Sequence, residues 1–229
     1  MSAIATGEGL RRKIRLAAPL VAPSAEAFWA HPKLRELFPQ FLMAIHGSVS
    51  CTVPLMEAAM RKTKHHHGDP ICAHLADYFP KHIVEEADHE EWLLRDLEAL
   101  GVNREDVRAR PPNRAIAGMV GAQYYWILHT HPVALLGFFA VLEGHPPEVE
   151  HLLDIERRTA LPAEAFRMLK YHAVADQGHA GELFALLDRL PLGLFHVELI
   201  GISALHTLAM LKIFFESLIP HPPVISPGC

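Results

Sequence analysis

Two histidines and an aspartate, His172, Asp176 and His179, stand at i, i+4 and i+7 in the stretch YHAVADQGHAGELFALL, from Tyr171 to Leu187. At about 3.6 residues per turn these side chains stack on one helix face over two turns. No proline interrupts the stretch, and its apolar residues recur at helical spacing, so it reads as a helix. Two imidazoles and a carboxylate on one stripe suit a divalent transition metal such as iron, manganese or zinc. An amphipathic helix with incidental polar residues would show the same spacing. Gly178 and Gly181 lower helix propensity by up to about 1 kcal/mol each relative to alanine, a cost that close approach of another helix would explain.

A second stretch, KHIVEEADHEEWLLRDLEALG, falls in a helix expected from about Pro70 to Leu100, with a bend near Pro80 and a stop at the C-cap Gly101. It places His82, Glu85, Glu86 and His89 on one broad face. Glu90, Glu91, Arg95, Asp96 and Glu98 read as solvated or salt-bridged surface, and Ile83, Leu93, Leu94 and Leu97 as the apolar side. A third stretch, PVALLGFFAVLEGHPP, is almost wholly apolar up to Glu143. A helix apolar all round is buried, so Glu143 arrives at its end inside the core. There an unpaired carboxylate costs several kcal/mol or takes up a proton, and a cation relieves it. If Glu143 lies just past the buried part, it simply faces water.

The elements that position these groups can be taken in order. Residues 1–23 read as a loosely ordered tail, and Ser24 with Glu26 as an N-cap and acidic first turn. Residues 24–219 form one all-helical domain with no Ser/Gly-rich linker, and 220–229 a C-terminal tail. Lys33 to Lys64 is mostly helical, bent at Pro39 and Pro54, and carries His46 as a core or pocket histidine. Residues 102–113 form a polar connector. Ala115 to His129 is a helix bearing Tyr124, Tyr125 and Trp126, and Pro132 opens the next helix. Glu148 to Thr159 is a short polar helix with His151 exposed, and Pro162 opens the helix with the triad. The last segment, LGLFHVELIGISALHTLAMLKIFFESLI, is apolar enough to suggest a membrane span. His196, Glu198, His206, Lys212 and Glu216 punctuate it, so it reads as a helix buried in a bundle.

Composition narrows the class. Half of the 229 residues are apolar and 21% are charged, which excludes disorder. A formal charge of −5 without a basic run argues against nucleic acid as a partner. Cys51, Cys72 and Cys229 form no CxxC pair, which fits a reduced cytoplasmic protein. The basic N-terminus makes a poor signal peptide. Among the 17 histidines, the run His65-His66-His67 lies in a polar loop, by surface chance or as weak adventitious metal binding.

Glu86 and His89, then Glu143, then His172, Asp176 and His179 give three carboxylates and three imidazoles. Two adjacent metal ions with a bridging carboxylate would use such a set. No HExxH appears, so structural-zinc and zinc-peptidase readings lose ground. Glu-x-x-His occurs once, not twice as in ferritin-like bundles; the second half is His-x-x-x-Asp-x-x-His.

In HIVEEADHEEWLLRDLEALG, the LLGFFAVLE segment and YHAVADQGH, with their order and separation, the chain resembles the heme-oxygenase-like diiron oxidases and oxygenases, over roughly residues 33–219. These share their fold with heme oxygenase and with thiaminase-like and pyrroloquinoline-quinone-synthase-like proteins. The resemblance implies an all-α, heme-oxygenase-like bundle of about seven helices. It implies His89, Glu143, His172, Asp176 and His179 as iron ligands, with Glu86 as the sixth and His82 as a supporting or alternative ligand beside Glu85. It further implies two ferrous ions and O2 as co-substrate. The substrate would be an amino acid or small aliphatic acid undergoing N-oxygenation, desaturation or C–C cleavage, as in natural-product biosynthesis. Tyr125 and Phe139 are candidates for the substrate pocket. A homodimer is expected, with no membrane partner; substrate identity and the need for an external reductant stay open. Competing readings are a heme protein with His46 as axial ligand, a cofactor-free or thiol enzyme with Cys51 or Cys72 as nucleophile, and a non-catalytic metal-binding helical protein.

Overall fold

The structure, a computed structural model, describes residues 6–66 and 68–220, apart from the side chain of Gln177. Every regular element among these residues is helical: α1 (Thr6–Ala17), α2 (Ala22–Trp29), α3 (Leu34–Thr63), α4 (Pro70–Glu86), α5 (His89–Glu98), α6 (Arg104–Ala109), α7 (Arg114–His129), α8 (Leu135–Leu142), α9 (Val149–Thr159), α10 (Arg167–Arg189) and α11 (Leu194–Leu218), with three short 3₁₀ turns. The all-α bundle expected from the sequence is present, with eleven α-helices where about seven were expected.

The centre of the bundle is α8. Leu135 to Val141 are all buried, and α11, α10, α7 and α3 pack around them. Each large apolar side chain buried there contributes about 1.5–3 kcal/mol. Helices α8 and α11 approach closely at Gly137, where a Cβ would lie 2.2 Å from the Ile200 carbonyl oxygen of α11. Gly178 and Gly181, read above as marking such an approach, have open space where a Cβ would stand. Helix α11 buries Leu199, Ile200, Ala204, Leu208 and Phe214 against the bundle and leaves Leu194, Phe195, Ile202 and Leu205 exposed. It and α3 are long and apolar enough to cross a membrane by length and composition alone.

Several boundaries differ from the sequence reading. The stretch read as a tail contains α1, which buries Leu10 and Ile14 and packs on α10 and α11. Its Gly7 N–H donates to Asp188 Oδ1 at 2.7 Å, and Arg11 lies 3.6 Å over the Phe184 ring. Leu10 and Ile14 are one turn apart, a short apolar stripe easily hidden among the basic residues. Ser24 lies inside α2, whose N-cap is Val21. The connector 102–113 contains α6, capped by Asn103. The long helix expected over 70–100 is two helices, broken at Ala87–Asp88, and Gly101 adopts the left-handed conformation expected of it (φ +78°). The expected C-terminal tail from 221 on lies outside the described residues, as do His67 and Cys229.

Asp96 is not surface. It is 1% exposed, and its Oδ2 accepts the backbone N–H of Met168 at 2.8 Å. It therefore caps the first turn of α10 from α5, supplying one of the acceptors that a helix N-terminus lacks. Burial pushes its carboxyl up to about 6, against the Met168 hydrogen bond and Arg167.

Candidate metal centre

Helices α4 and α5 run antiparallel to α10, so that His82 faces His179 and His89 faces His172, with ring centroids 5.2 and 4.5 Å apart. Glu143, the C-cap of α8, enters from a third direction and is buried, as the apolar run before it predicts. Two groups of potential ligand atoms result. His82, Glu143 and His179 form one, and Glu86, His89 and His172 the other; within each, the atoms lie within 4.8 Å of one another. Asp176 is buried on α10 between His172 and His179.

Local contacts orient the rings. The His172 Nδ1–H donates to the Met168 carbonyl one turn back at 2.9 Å, which leaves its Nε2 lone pair free. His82 Nε2 lies 3.0 Å from Glu143 Oε1, and its Nδ1 lies 3.4 Å from Glu85 Oε2. His89 Nδ1 contacts Glu86 Oε2 at 2.8 Å. Imidazoles steadied through one nitrogen, with the other directed at the site, are typical of metal-binding histidines.

Much of the polar capacity converging here makes no hydrogen bond, although Asp176 Oδ1 and His179 Nδ1 lie 3.5 Å apart. His89 Nε2, Glu143 Oε2, Asp176 Oδ1 and His179 Nδ1 are all buried without a hydrogen bond, and they make up four of the six such atoms among the described residues. Each unsatisfied buried group costs about 1–3 kcal/mol, and more when charged. Burial drives Glu143 above the usual carboxylate range, although His82 opposes this. Burial would lower His82, but its hydrogen bond to Glu143 outweighs that and raises it. Glu86 falls below the usual range: burial acts upward, and His89, with His172 and His82 adding, overrides it. His179 is pulled up to about 9, first by the Asp176 carboxylate 3.5 Å away, with Glu143 and Glu85 adding against burial. Three buried carboxylates facing four imidazoles form a donor set that fits divalent iron, which accepts mixed N/O ligands.

Glu86, Glu143, His172 and Asp176 also border an apolar cavity of about 260 Å³, walled by Phe41, Ile45, Val49, Phe138, Phe139 and Phe214. Of the two aromatic residues expected at a pocket, Phe139 lines this cavity and Tyr125 does not: Tyr125 is 61% exposed on α7, because aromatic type alone does not give helix phase. Glu85 is half-buried at the edge, within salt-bridge distance of Lys81, His82 and His179. His82 and Glu86, weighed above as alternatives, fall in different groups of potential ligand atoms. Sequence reasoning missed Tyr78, one turn before His82, whose ring stacks on that histidine and whose hydroxyl is buried without a partner.

The residues behind the competing readings lie elsewhere. His46 Nε2 is 3.2 Å from Glu90, and His46 borders a separate polar cavity with Arg108 and Arg110. Burial, followed by the Asp69 carboxylate, pushes the Cys72 thiol up to about 12, and burial raises Cys51 as well. Neither has the lowered pKa of an activated nucleophile.

A sequence model of the family described as "Iron-containing redox enzyme" matches residues 38–192. Among solved structures, a domain of unknown function with a heme oxygenase-like fold from Shewanella denitrificans OS217 superposes with a TM-score of 0.80 at 17% identity, covering 95% of this chain and 93% of that one. A TenA homolog from Pseudomonas syringae pv. tomato DC3000 gives 0.63 at 13% identity, covering 89% and 91%. No curated protein matches the chain.

Proposed function

The chain belongs to the family of iron-containing redox enzymes, and on that premise we propose that it is a non-heme diiron oxidoreductase that uses O2. Glu86, His89 and His172 would hold one ferrous ion, and His82, Glu143 and His179 the other, with Asp176 beside both. The observation that carries this reading is the set of four buried donor atoms without a hydrogen bond, His89 Nε2, Glu143 Oε2, Asp176 Oδ1 and His179 Nδ1, drawn from three helices, α5, α8 and α10, into one region. The iron supplies electrons for O2 chemistry; the protein supplies the rest.

Three carboxylates offset the charge of the two cations. The Met168 carbonyl and Glu85 hold the His172 and His82 rings. Phe138, Phe139 and Phe214 give the adjoining cavity an apolar wall. An aliphatic substrate would pack against these rings and Ile45 and Val49. Among the described residues, the polar groups of the cavity lining apart from the cluster are Ser48 and Thr52. Either substrate class the resemblance implies, an amino acid or a small aliphatic acid, would place its apolar part there.

The test is anaerobic titration with ferrous iron, followed by O2 exposure under an optical spectrum. Two equivalents of tightly bound iron and an O2-dependent absorbance change are expected. A single equivalent, or iron retained after His89 and His179 are both replaced by alanine, refutes the assignment.

A further inference from the structure

The turn that joins α3 to α4 brings together a second group of ligand-type side chains, at the opposite end of α4 from His82 and Glu86. His66, Asp69 and Cys72 follow one another at i, i+3 and i+6, and His131 approaches from the break between α7 and α8. Their donor atoms all lie within 4.8 Å of one another. Cys72 Sγ is 3.7 Å from Asp69 Oδ2 and 3.6 Å from His131 Nε2, and the His66 and His131 ring centroids are 5.4 Å apart.

Hydrogen bonding decides the role of each group. His131 Nδ1 accepts the Val133 N–H at 3.1 Å, so the ring proton sits on Nε2 and is donated to Asp69 Oδ2 at 2.9 Å. His131 therefore holds the carboxylate and is not itself free to ligate. Asp69 Oδ1 accepts the Ile71 N–H at 2.8 Å, which caps α4 and fixes the carboxylate from its other side. A carboxylate has about four lone-pair sites, so Asp69 keeps acceptor capacity for a cation between the His66 imidazole and the Cys72 sulfur.

We propose that His66, Asp69 and Cys72 form a binding site for one zinc-type divalent cation, with His131 as the residue that positions Asp69. A nitrogen, an oxygen and a sulfur donor, with water in the fourth place, suit tetrahedral zinc and exclude magnesium and calcium, which take oxygen donors. On binding, the Cys72 thiol gives its proton to solvent and the thiolate takes the cation. The ion would pin the end of the α3–α4 turn to the first turns of α4. This site is independent of the diiron assignment, because that cluster contains no cysteine.

The experiment is titration of the full chain with cobalt(II), which reports thiolate ligation by a sulfur-to-cobalt charge-transfer band that a nitrogen and oxygen site cannot give. The band should reach the intensity of one thiolate-bound cobalt per chain, vanish in Cys72→Ser, weaken by about 10–100-fold in affinity in His131→Ala, and persist in Cys51→Ser and Cys229→Ser. Zinc should displace it. His66→Ala, at a half-exposed position, should lose at least tenfold in affinity while keeping its helical circular dichroism, and it decides the matter if Cys72→Ser does not fold. No band in excess cobalt, a band that survives Cys72→Ser, or unchanged affinity in His66→Ala would overturn the proposal and leave the cluster as a hydrogen-bonded cap.

Discussion

Replacing Glu143 by glutamine keeps the size of the side chain and one oxygen donor but removes the charge. Glu143 comes from α8, apart from the α4/α5 and α10 ligands, and its Oε1 lies 3.0 Å from His82 Nε2 while Oε2 has no partner. Two unit charges about 4 Å apart in a partly screened protein environment interact by about 4 kcal/mol, and a carboxylate with a divalent ion by more. Loss of even the single-charge term corresponds to roughly a thousandfold loss in metal affinity. The loss should fall on the ion held with His82 and His179, and the one held by Glu86, His89 and His172 should weaken much less. Anaerobic ferrous titration of wild type and Glu143→Gln should show two tight equivalents against one. Bound ligand stabilises the native state by mass action, so iron should raise the melting temperature of the variant less. Two irons bound by the variant with wild-type affinity would show that Glu143 is a buried residue with no part in the site.

His172→Ala, Asp176→Ala and His179→Ala should each lower bound iron, whereas replacing His65, His66 and His67 together should leave iron content unchanged, as metal analysis would show. Gly137→Ala should cost about 1–3 kcal/mol by forcing α8 and α11 apart, while Gly178→Ala, with open space at its Cβ, should gain up to about 1 kcal/mol; denaturant midpoints compare the two. For Asp96, the folded-state carboxyl at about 6 stands above its ordinary value of 3.8, so the native protein holds the extra proton and stability falls as pH rises from about 4 to about 6. The stability of Asp96→Asn relative to wild type should accordingly rise through that window, by up to about 3 kcal/mol, and stay level above it.

The α10 triad was legible because its spacing matches the helix period, and Glu143 because an uninterrupted apolar run leads into it. Other features depended on what stands opposite, which one chain segment does not record. Gly137 and Gly178 both sit in helices, and only the closeness of α11 at Ile200, Ser203 and Ala204 distinguishes the essential glycine from the replaceable one. Asp96 shares its stretch with Glu91, Arg95 and Glu98, which do form surface ion pairs; its partner is a backbone N–H 72 residues away. The break at Ala87–Asp88 has no glycine or proline to announce it. Because it divides the stretch, His82 and His89 join different ligand groups although their spacing suits one helix face.

The cap on α10 ties together mechanically two members of one ligand group, His89 and His172. Met168 gives its N–H to Asp96 and takes the Nδ1–H of His172 on its carbonyl. A single peptide residue is thus anchored from α5 and steers a ring one turn further along α10. Since α5 also begins with His89, one rigid rod presents one imidazole directly and sets the height and rotation of its counterpart through a backbone strut. The gap between His89 and His172 is in this sense gauged by a carboxylate outside the cavity lining. Small shifts of α5 relative to the bundle would move both rings in concert, so the spacing between them would be preserved while the pair as a whole is displaced.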